Sequence, residues 1–153
     1  MLLVDYELSP SWNRRQLADW SQATETSLRY DSFLGDIVFR ADDADFSARW
    51  GWVPVLDFGL SLKNALEHVE RDAQVVTIEF TESDAVIRLE PVGHKVKLTA
   101  SYVPEVATVE YADLVDVTYQ FLGRLIEDLI AHQPGLERNP VIVATLEAIR
   151  QRR

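Results

Sequence analysis

Apolar and polar residues alternate along several short stretches in the first third of the chain, which is the period of a strand with one buried face. The alternation runs over residues 2–8, 28–31, 35–40 and 45–50. A turn centred on residues 42–43 places apolar side chains on one face of the last two stretches and opposite charges on the other. The pattern therefore predicts a β-hairpin with these opposed residues: Phe39 with Phe46, Ile37 with Ala48, Arg40 with Asp45, and Asp36 with Arg49.

Two longer stretches change to the three-and-four spacing of an amphipathic helix. The first covers residues 54–71 and the second covers residues 112–133, where a Pro-Gly pair ends the pattern. An Asn-Pro pair then begins a short helix that runs to residue 149. A weaker pattern over residues 12–22 predicts one more short helix after the first strand.

The middle of the chain carries the clearest sheet pattern. Alternating stretches at 76–81, 85–90 and 95–100, with a fourth at 106–111, predict an antiparallel meander with one charged and one aliphatic face. Turns at 82–83 and 92–93 give predicted cross-strand rows on each face. The charged face has one row of Glu79, Arg88 and Lys97 and a second row of Thr77, Glu90 and Lys95, and the aliphatic face has Phe80, Ile87 and Leu98.

These elements together predict an α+β fold. Its antiparallel sheet consists of the N-terminal strands, a hairpin and a three- to four-strand meander, and it packs against two long amphipathic helices and a short C-terminal helix. The 153 residues contain no repeat, low-complexity tract or linker, so we expect a single domain over residues 1–153. A chain of this length buries roughly 70% of its unfolded surface, which is enough for an independent core.

The charge balance narrows the possible partners. Fifteen Lys and Arg residues against twenty-five Asp and Glu give a net charge of −10, and no basic residue occurs between Leu98 and Gly123. Nucleic acids and anionic membranes are bound through clustered Lys and Arg, so we expect neither as a partner. The same surplus of negative charge either serves solubility alone or attracts a basic protein, and the composition leaves both interpretations open.

The expected location of the protein is the cytoplasm. The N-terminal residues lack the pattern of a signal peptide. The longest apolar stretches are interrupted by charges well before the ~20 residues that span a bilayer. The chain has no cysteine, which suits a reducing compartment.

The sequence predicts no catalytic centre, no cofactor and no metal site. Its six glycines form neither a dinucleotide-binding nor a P-loop motif, and Ser61 does not lie in a G-x-S-x-G elbow. Asp128 and His132 lie one helical turn apart but supply two ligands, where zinc takes three or four protein ligands. The acidic run at residues 42–45 resembles half a calcium loop, but the later Gly and Glu that such a loop requires are missing.

Four segments resemble small acidic proteins of bacteria, specifically of actinobacteria. These are residues 35–40, 45–47, 50–58 and 125–140, with the Trp-Gly-Trp-Val-Pro run in the third. The resemblance implies a bacterial, cytoplasmic setting. It carries no activity and no catalytic residues to this chain.

Two functional hypotheses follow. The first is a non-enzymatic protein-binding module, an inhibitor of the immunity or antitoxin type that occludes a basic partner protein. Trp50 is assigned to the core and Trp52 to the surface, because an exposed tryptophan inside a charged rim is typical of binding hot spots. The predicted binding residues are Asp36, Asp42, Asp43, Asp45, Trp52 and Asp57. The alternative is an enzyme or small-ligand-binding protein with a site between the sheet and the helices.

Overall fold

Strands and helices form at most of the places where the sequence pattern predicts them. The structure is a computed structural model that describes residues 1–10, 19–81 and 83–152. The strands are β1 (Leu2–Leu8), β2 (Leu34–Ala41), β3 (Ala44–Asp45), β4 (Ala48–Pro54), β5 (Val76–Glu79), β6 (Val86–Val92), β7 (Lys95–Ala100) and β8 (Val103–Glu110). The α-helices are α1 (Val55–Asp72), α2 (Tyr111–His132) and α3 (Pro140–Gln151). Short 3₁₀ segments cover Trp20–Gln22 and Pro134–Arg138, and a π-helical segment covers Ser27–Ser32.

The predicted α+β class is confirmed, and the strands divide into two antiparallel four-stranded sheets. In the first sheet, β2 pairs with β1 on one side and with β3 and β4 on the other. In the second sheet, β5 to β8 pair in chain order, as the meander pattern predicts. Among the described residues, no helix combines the length and the hydropathy of a membrane-spanning segment.

The hairpin turn lies where it is predicted, but its second strand is irregular. Arg40 opposes Asp45 and Ile37 opposes Ala48, as expected. The next paired residues are Gly35 and Val53, so four residues of β4 lie opposite the single residue 36 of β2. The predicted pairing of Asp36 with Arg49 is therefore wrong, because this bulge shifts the register between them.

The cross-strand rows predicted for the meander are wrong by two residues. Arg88 lies opposite Thr77 and Thr99 instead of Glu79 and Lys97. The loop between β6 and β7 consists of Gly93 and His94, since Val92 pairs with Lys95. Gly93 has a φ of 62°, which the first position of a type II′ hairpin turn requires. Because the shift is an even number of residues, each side chain keeps its predicted face.

Two predictions near the N-terminus have different outcomes. The strand predicted over 28–31 is wrong, because these residues belong to the π-helical segment that buries Leu28. Two alternating pairs are too short to distinguish a strand from one helical turn. Most of the helix predicted over 12–22 lies outside the described residues, and its last part forms the 3₁₀ segment.

Aromatic rings join the two sheets to the helices. Trp50 of β4 packs edge-on against Phe80 and Tyr102, which belong to the second sheet's loops, at centroid distances of 5.3 and 5.4 Å. Phe58 of α1 stacks on Phe80 at 5.8 Å and meets Phe121 of α2 edge-on at 6.4 Å. These contacts fix β4, α1 and the start of the β5–β6 connection relative to one another.

Candidate functional site

Trp52 is an exposed tryptophan held in a defined position. Its side chain is 39% exposed, as predicted, and its ring stacks on Trp50 at a centroid distance of 5.3 Å. Trp50 is half-buried against the core. Within the bulge, Gly51 has a φ of 79° and donates its N–H to the Asp36 carboxylate at 2.8 Å. The bulge thus presents a large apolar ring to solvent beside a carboxylate.

A cleft of about 580 Å³ lies between α1 and the edge strand β5. Ring contacts connect it to Trp52, because Trp52 stacks on Trp50 and Trp50 in turn contacts Phe80 in the cleft wall. Tyr30, 40% exposed, projects from the π-helical segment at the same cleft. The lining residues of the helix are Asp57, Ser61, Asn64, Ala65 and His68, and those of the strand side are residues 76–81 and Ser83.

Asp57 forms a largely buried ion pair at the wall of this cleft. The residue lies in the first turn of α1, where the helix dipole favours a carboxylate, and is 7% exposed. Its Oδ1 accepts a 2.7 Å hydrogen bond from Arg29 Nε, and Arg29 Nη2 also donates to Ser61 Oγ at 3.2 Å. Asp57 therefore orders the cleft wall and is not part of an exposed acidic rim.

The Ser61 hydroxyl and the His68 imidazole, which both line the cleft, are not arranged as a nucleophile and base. Ser61 and His68 are seven residues apart on one helix, a rise of roughly 10 Å. The Ser61 hydroxyl accepts from Arg29, while His68 Nδ1 lies 3.2 Å from Asp72 Oδ2. Within the described part of the chain, no group of three or more His, Asp or Glu side chains is placed to hold a metal ion.

The acidic hairpin turn forms a separate surface. Asp42 lies 2.7 Å from the N-terminal ammonium group, and Asp43 is exposed. Asp45 lies 3.5 Å from Arg40 and 4.0 Å from Arg49. A hydrogen bond from the Ser47 side chain lowers the pKa of Asp45 below its usual value, and both arginines act in the same direction.

The six predicted binding residues fall into two groups. Asp57 lines the cleft, and Asp36 and Trp52 belong to the neighbouring β4 bulge, where Asp36 accepts the Gly51 N–H. The three aspartates of the turn lie at the opposite end of β2. Asp36 and Asp42 are six positions apart along β2 and its turn, about 20 Å in extended chain. Tyr30, Thr77 and Glu79 line the cleft but were not predicted as parts of a site, although the alternation places Thr77 and Glu79 on the charged face of the meander.

A second cavity, of about 430 Å³, lies between the C-terminal end of α1, the β6–β7 turn and the start of α2. Tyr111 lines it and donates its hydroxyl to the Leu66 carbonyl at 2.9 Å, with Glu70 3.2 Å away. Burial raises the pKa of Tyr111 to about 12, and Glu70 contributes. His94 and Glu110, which also line this cavity, face each other at 3.3 Å.

Comparison with protein-family models, with curated proteins and with solved structures finds no match to this chain.

Proposed function

We propose that this protein is a non-enzymatic binding module that captures a basic partner protein and inhibits it by occlusion, in the manner of an immunity protein or antitoxin. The observation that carries the proposal is the exposed Trp52 ring, which stacks on Trp50 and follows Gly51, whose N–H donates to the Asp36 carboxylate. A tryptophan fixed before binding loses little conformational entropy when a partner covers it, so it is suited to act as an anchor.

The charge of the chain supports a basic partner. A net charge of −10 raises the rate of encounter with a cationic protein and disfavours acidic ones. The described residues that line the cleft include two carboxylates, Asp57 and Glu79, and no Lys or Arg. Arg29 already neutralises Asp57, which leaves Glu79 as the exposed charge of the cleft.

The test is retention of host proteins on the immobilised chain and on a Trp52→Ala variant. We expect a basic protein to be retained at low salt, released at high salt, and bound at least about tenfold more weakly by the variant, the scale of a tryptophan hot spot. Val143→Ala on α3 is the control, because Val143 has the same exposed fraction of 39%. Equal retention by wild type and Trp52→Ala, or no salt-sensitive retention, would refute the proposal.

Two double variants test the contribution of the hairpin turn. Both change the net charge of the chain by the same amount. Asp42→Ala/Asp43→Ala and Glu127→Ala/Glu147→Ala each remove two exposed carboxylates, the latter from α2 and α3. If the turn contacts the partner, the first double variant weakens binding more than the second. If both weaken it equally, the turn contributes only to the long-range field.

The 430 Å³ cavity supports the alternative function, a small-ligand-binding protein. Its volume lies in the usual range of ligand sites, and Tyr111, His94 and Glu110 supply polar groups in a largely apolar wall. A ligand there would contact the Tyr111 hydroxyl. Tyr111→Phe would then abolish ligand-induced thermal stabilisation while leaving capture of the basic partner unchanged.

A further inference from the structure

We propose that the outer edge of β5 binds an extended, basic segment of the partner as an added β-strand. The inference rests on the proposed function and specifies its surface and its mode of binding. In strand addition, main-chain hydrogen bonds supply affinity and alternate side chains supply specificity.

The backbone of β5 has hydrogen-bonding groups that point away from its sheet. The Phe80 N–H donates to the Ala85 carbonyl at 3.1 Å, so these two residues form a hydrogen-bonded pair. Such pairs alternate along an antiparallel ladder, so Ile78 also bonds towards β6, whereas Thr77 and Glu79 direct their N–H and C=O groups outward. β5 pairs with β6 and no other described strand, and no described residue hydrogen-bonds to these outward groups.

The cleft gives an added strand room beside this edge. Residues 76–81 form one of its walls and α1 forms the other. Ile78 and Phe80 are buried on the face that packs towards the core, and Thr77 and Glu79 are exposed on the opposite face. A segment paired with β5 would place alternate side chains beside these two rows, so the geometry favours apolar residues alternating with solvated ones.

The charge of the edge favours a basic segment over a second copy of this chain. Glu79 is exposed on the solvated row, and Asp84 is exposed just beyond the strand. Edge-to-edge pairing of two β5 strands would bring together two molecules of net charge −10, each with a Glu79 on its edge. Lys or Arg at the solvated positions of a partner segment would instead meet Glu79 with opposite charge.

The experiment uses a short capped peptide of alternating Lys and Val, followed by amide hydrogen exchange in the full chain. We expect the peptide to slow exchange of the outward Thr77 and Glu79 amides by at least about tenfold, while the inward Ile78 amide is protected with or without peptide. A matched peptide of alternating Glu and Val is the charge control, and it should protect neither outward amide.

Proline substitution separates the edge from the rest of the strand. Thr77→Pro removes an outward N–H and leaves the β5–β6 ladder intact, so peptide affinity should fall at least about tenfold. Thr108→Pro, on β8 at the opposite edge of the sheet, is the matched control. Tyr111 forms a hydrogen-bonded pair with His94, and such pairs alternate along the strand, so the backbone N–H of Thr108 points away from β7. Glu79→Lys, which keeps the backbone, should also weaken the Lys peptide and is informative even if Thr77→Pro misfolds.

The outcomes separate this inference from the proposed function. If the Lys peptide binds but slows amide exchange only at residues other than Thr77 and Glu79, the strand-addition site is wrong. The proposed function as a binding module is then unaffected. If these two amides become more protected as protein concentration rises without peptide, two copies of the chain pair at β5. That result also overturns the inference. Failure of Lys peptide and basic host proteins alike to bind overturns the proposed function itself.

Discussion

Arg29 and Asp57 hold the wall of the cleft through an ion pair that is mostly withdrawn from water. Their side chains are 17% and 10% exposed, and the Nε–Oδ1 distance is 2.7 Å. An ion in such a place is stabilised chiefly by its partner, because desolvation removes the water that would otherwise solvate it. The pair therefore fixes the π-helical segment, and with it Tyr30, against the start of α1.

Removing the cation should destabilise the protein more than removing an exposed one. Arg29→Met leaves the Asp57 carboxylate buried without its partner, and we expect a loss of about 2–4 kcal/mol in the free energy of unfolding. Arg40→Met, whose pair with Asp45 is nearly half exposed, should cost less than about 1 kcal/mol. Urea denaturation at neutral pH measures both, and equal losses would contradict the structural role assigned to Arg29.

At the scale of elements, α1 and α2 approach each other closely at Gly59. A Cβ atom at this position would lie 2.7 Å from both Leu122 Cδ2 and Phe121 Cε1, two side chains with no solvent exposure. Gly123, on α2, is the natural comparison, because a Cβ atom there meets nothing within 4 Å. The first glycine is needed for packing, whereas the second only lowers helix propensity.

The two Gly→Ala substitutions should accordingly have opposite effects. Gly123→Ala should raise the free energy of unfolding by about 0.5–1 kcal/mol through helix propensity alone. Gly59→Ala gains the same propensity but overpacks the interface between the helices, and we expect it to be at least about 1 kcal/mol less stable than Gly123→Ala. Thermal unfolding of the two variants decides this, and equal stability would mean that α1 and α2 are less closely packed than the structure has them.

The elements that could be predicted from the sequence are those with long, regular patterns. The five-turn helix α1, the helix α2 and the four strands of the meander each carry several turns or repeats of one period, so local pattern and tertiary burial agree. The pairing register of the strands was less predictable. It depends on the two-residue loop Gly93–His94 and on the bulge around Gly51, and the positive φ values of these two glycines cannot be read from the alternation. Two alternating residue pairs at 28–31 gave too little periodicity to identify a helical turn.

The candidate site was predictable only in part. Trp52 beside Asp36 could be found, because both lie in one charged and aromatic stretch. The burial of Asp57 could not, since its partner Arg29 is 28 residues away in the chain and reaches it through the fold. The open edge of β5 was equally hidden, because the sequence does not say whether the first strand of the meander also pairs with the N-terminal strands, and the two form separate sheets in the structure.

At the scale of the whole molecule, three partly buried tyrosines link stability to alkaline pH. Burial is the largest cause that raises the pKa values of Tyr6, Tyr102 and Tyr111 above the ordinary value of 10.0. A group whose pKa is higher in the folded state contributes stability that is complete below its unfolded pKa. That contribution is lost as the pH rises from the unfolded pKa towards the folded one.

The free energy of unfolding should therefore fall steeply above pH 10. Each of the three tyrosines contributes at most about 1.4 kcal/mol per pH unit to the slope, since the unfolded chain is ionised where the folded chain is not. Tyr111→Phe should remove the contribution of one tyrosine to this slope, between pH 10 and the pKa of about 12 that Tyr111 has in the folded state. Urea titrations at a series of pH values measure the slope, and a variant with an unchanged slope would contradict the burial of this hydroxyl.

Recognition of a basic segment by an acidic molecule with a prepositioned tryptophan and an open strand edge can be measured with the two peptides. The most direct measurement is the Kd of the alternating Lys-Val peptide and of its Glu-Val counterpart, by calorimetry, at increasing salt. We predict that the Lys peptide binds and that its Kd rises at least about tenfold as screening shortens the range of the field. The Glu peptide should show no binding at any salt. Equal affinity for the two peptides, or a Kd for the Lys peptide that does not change with salt, would contradict the account.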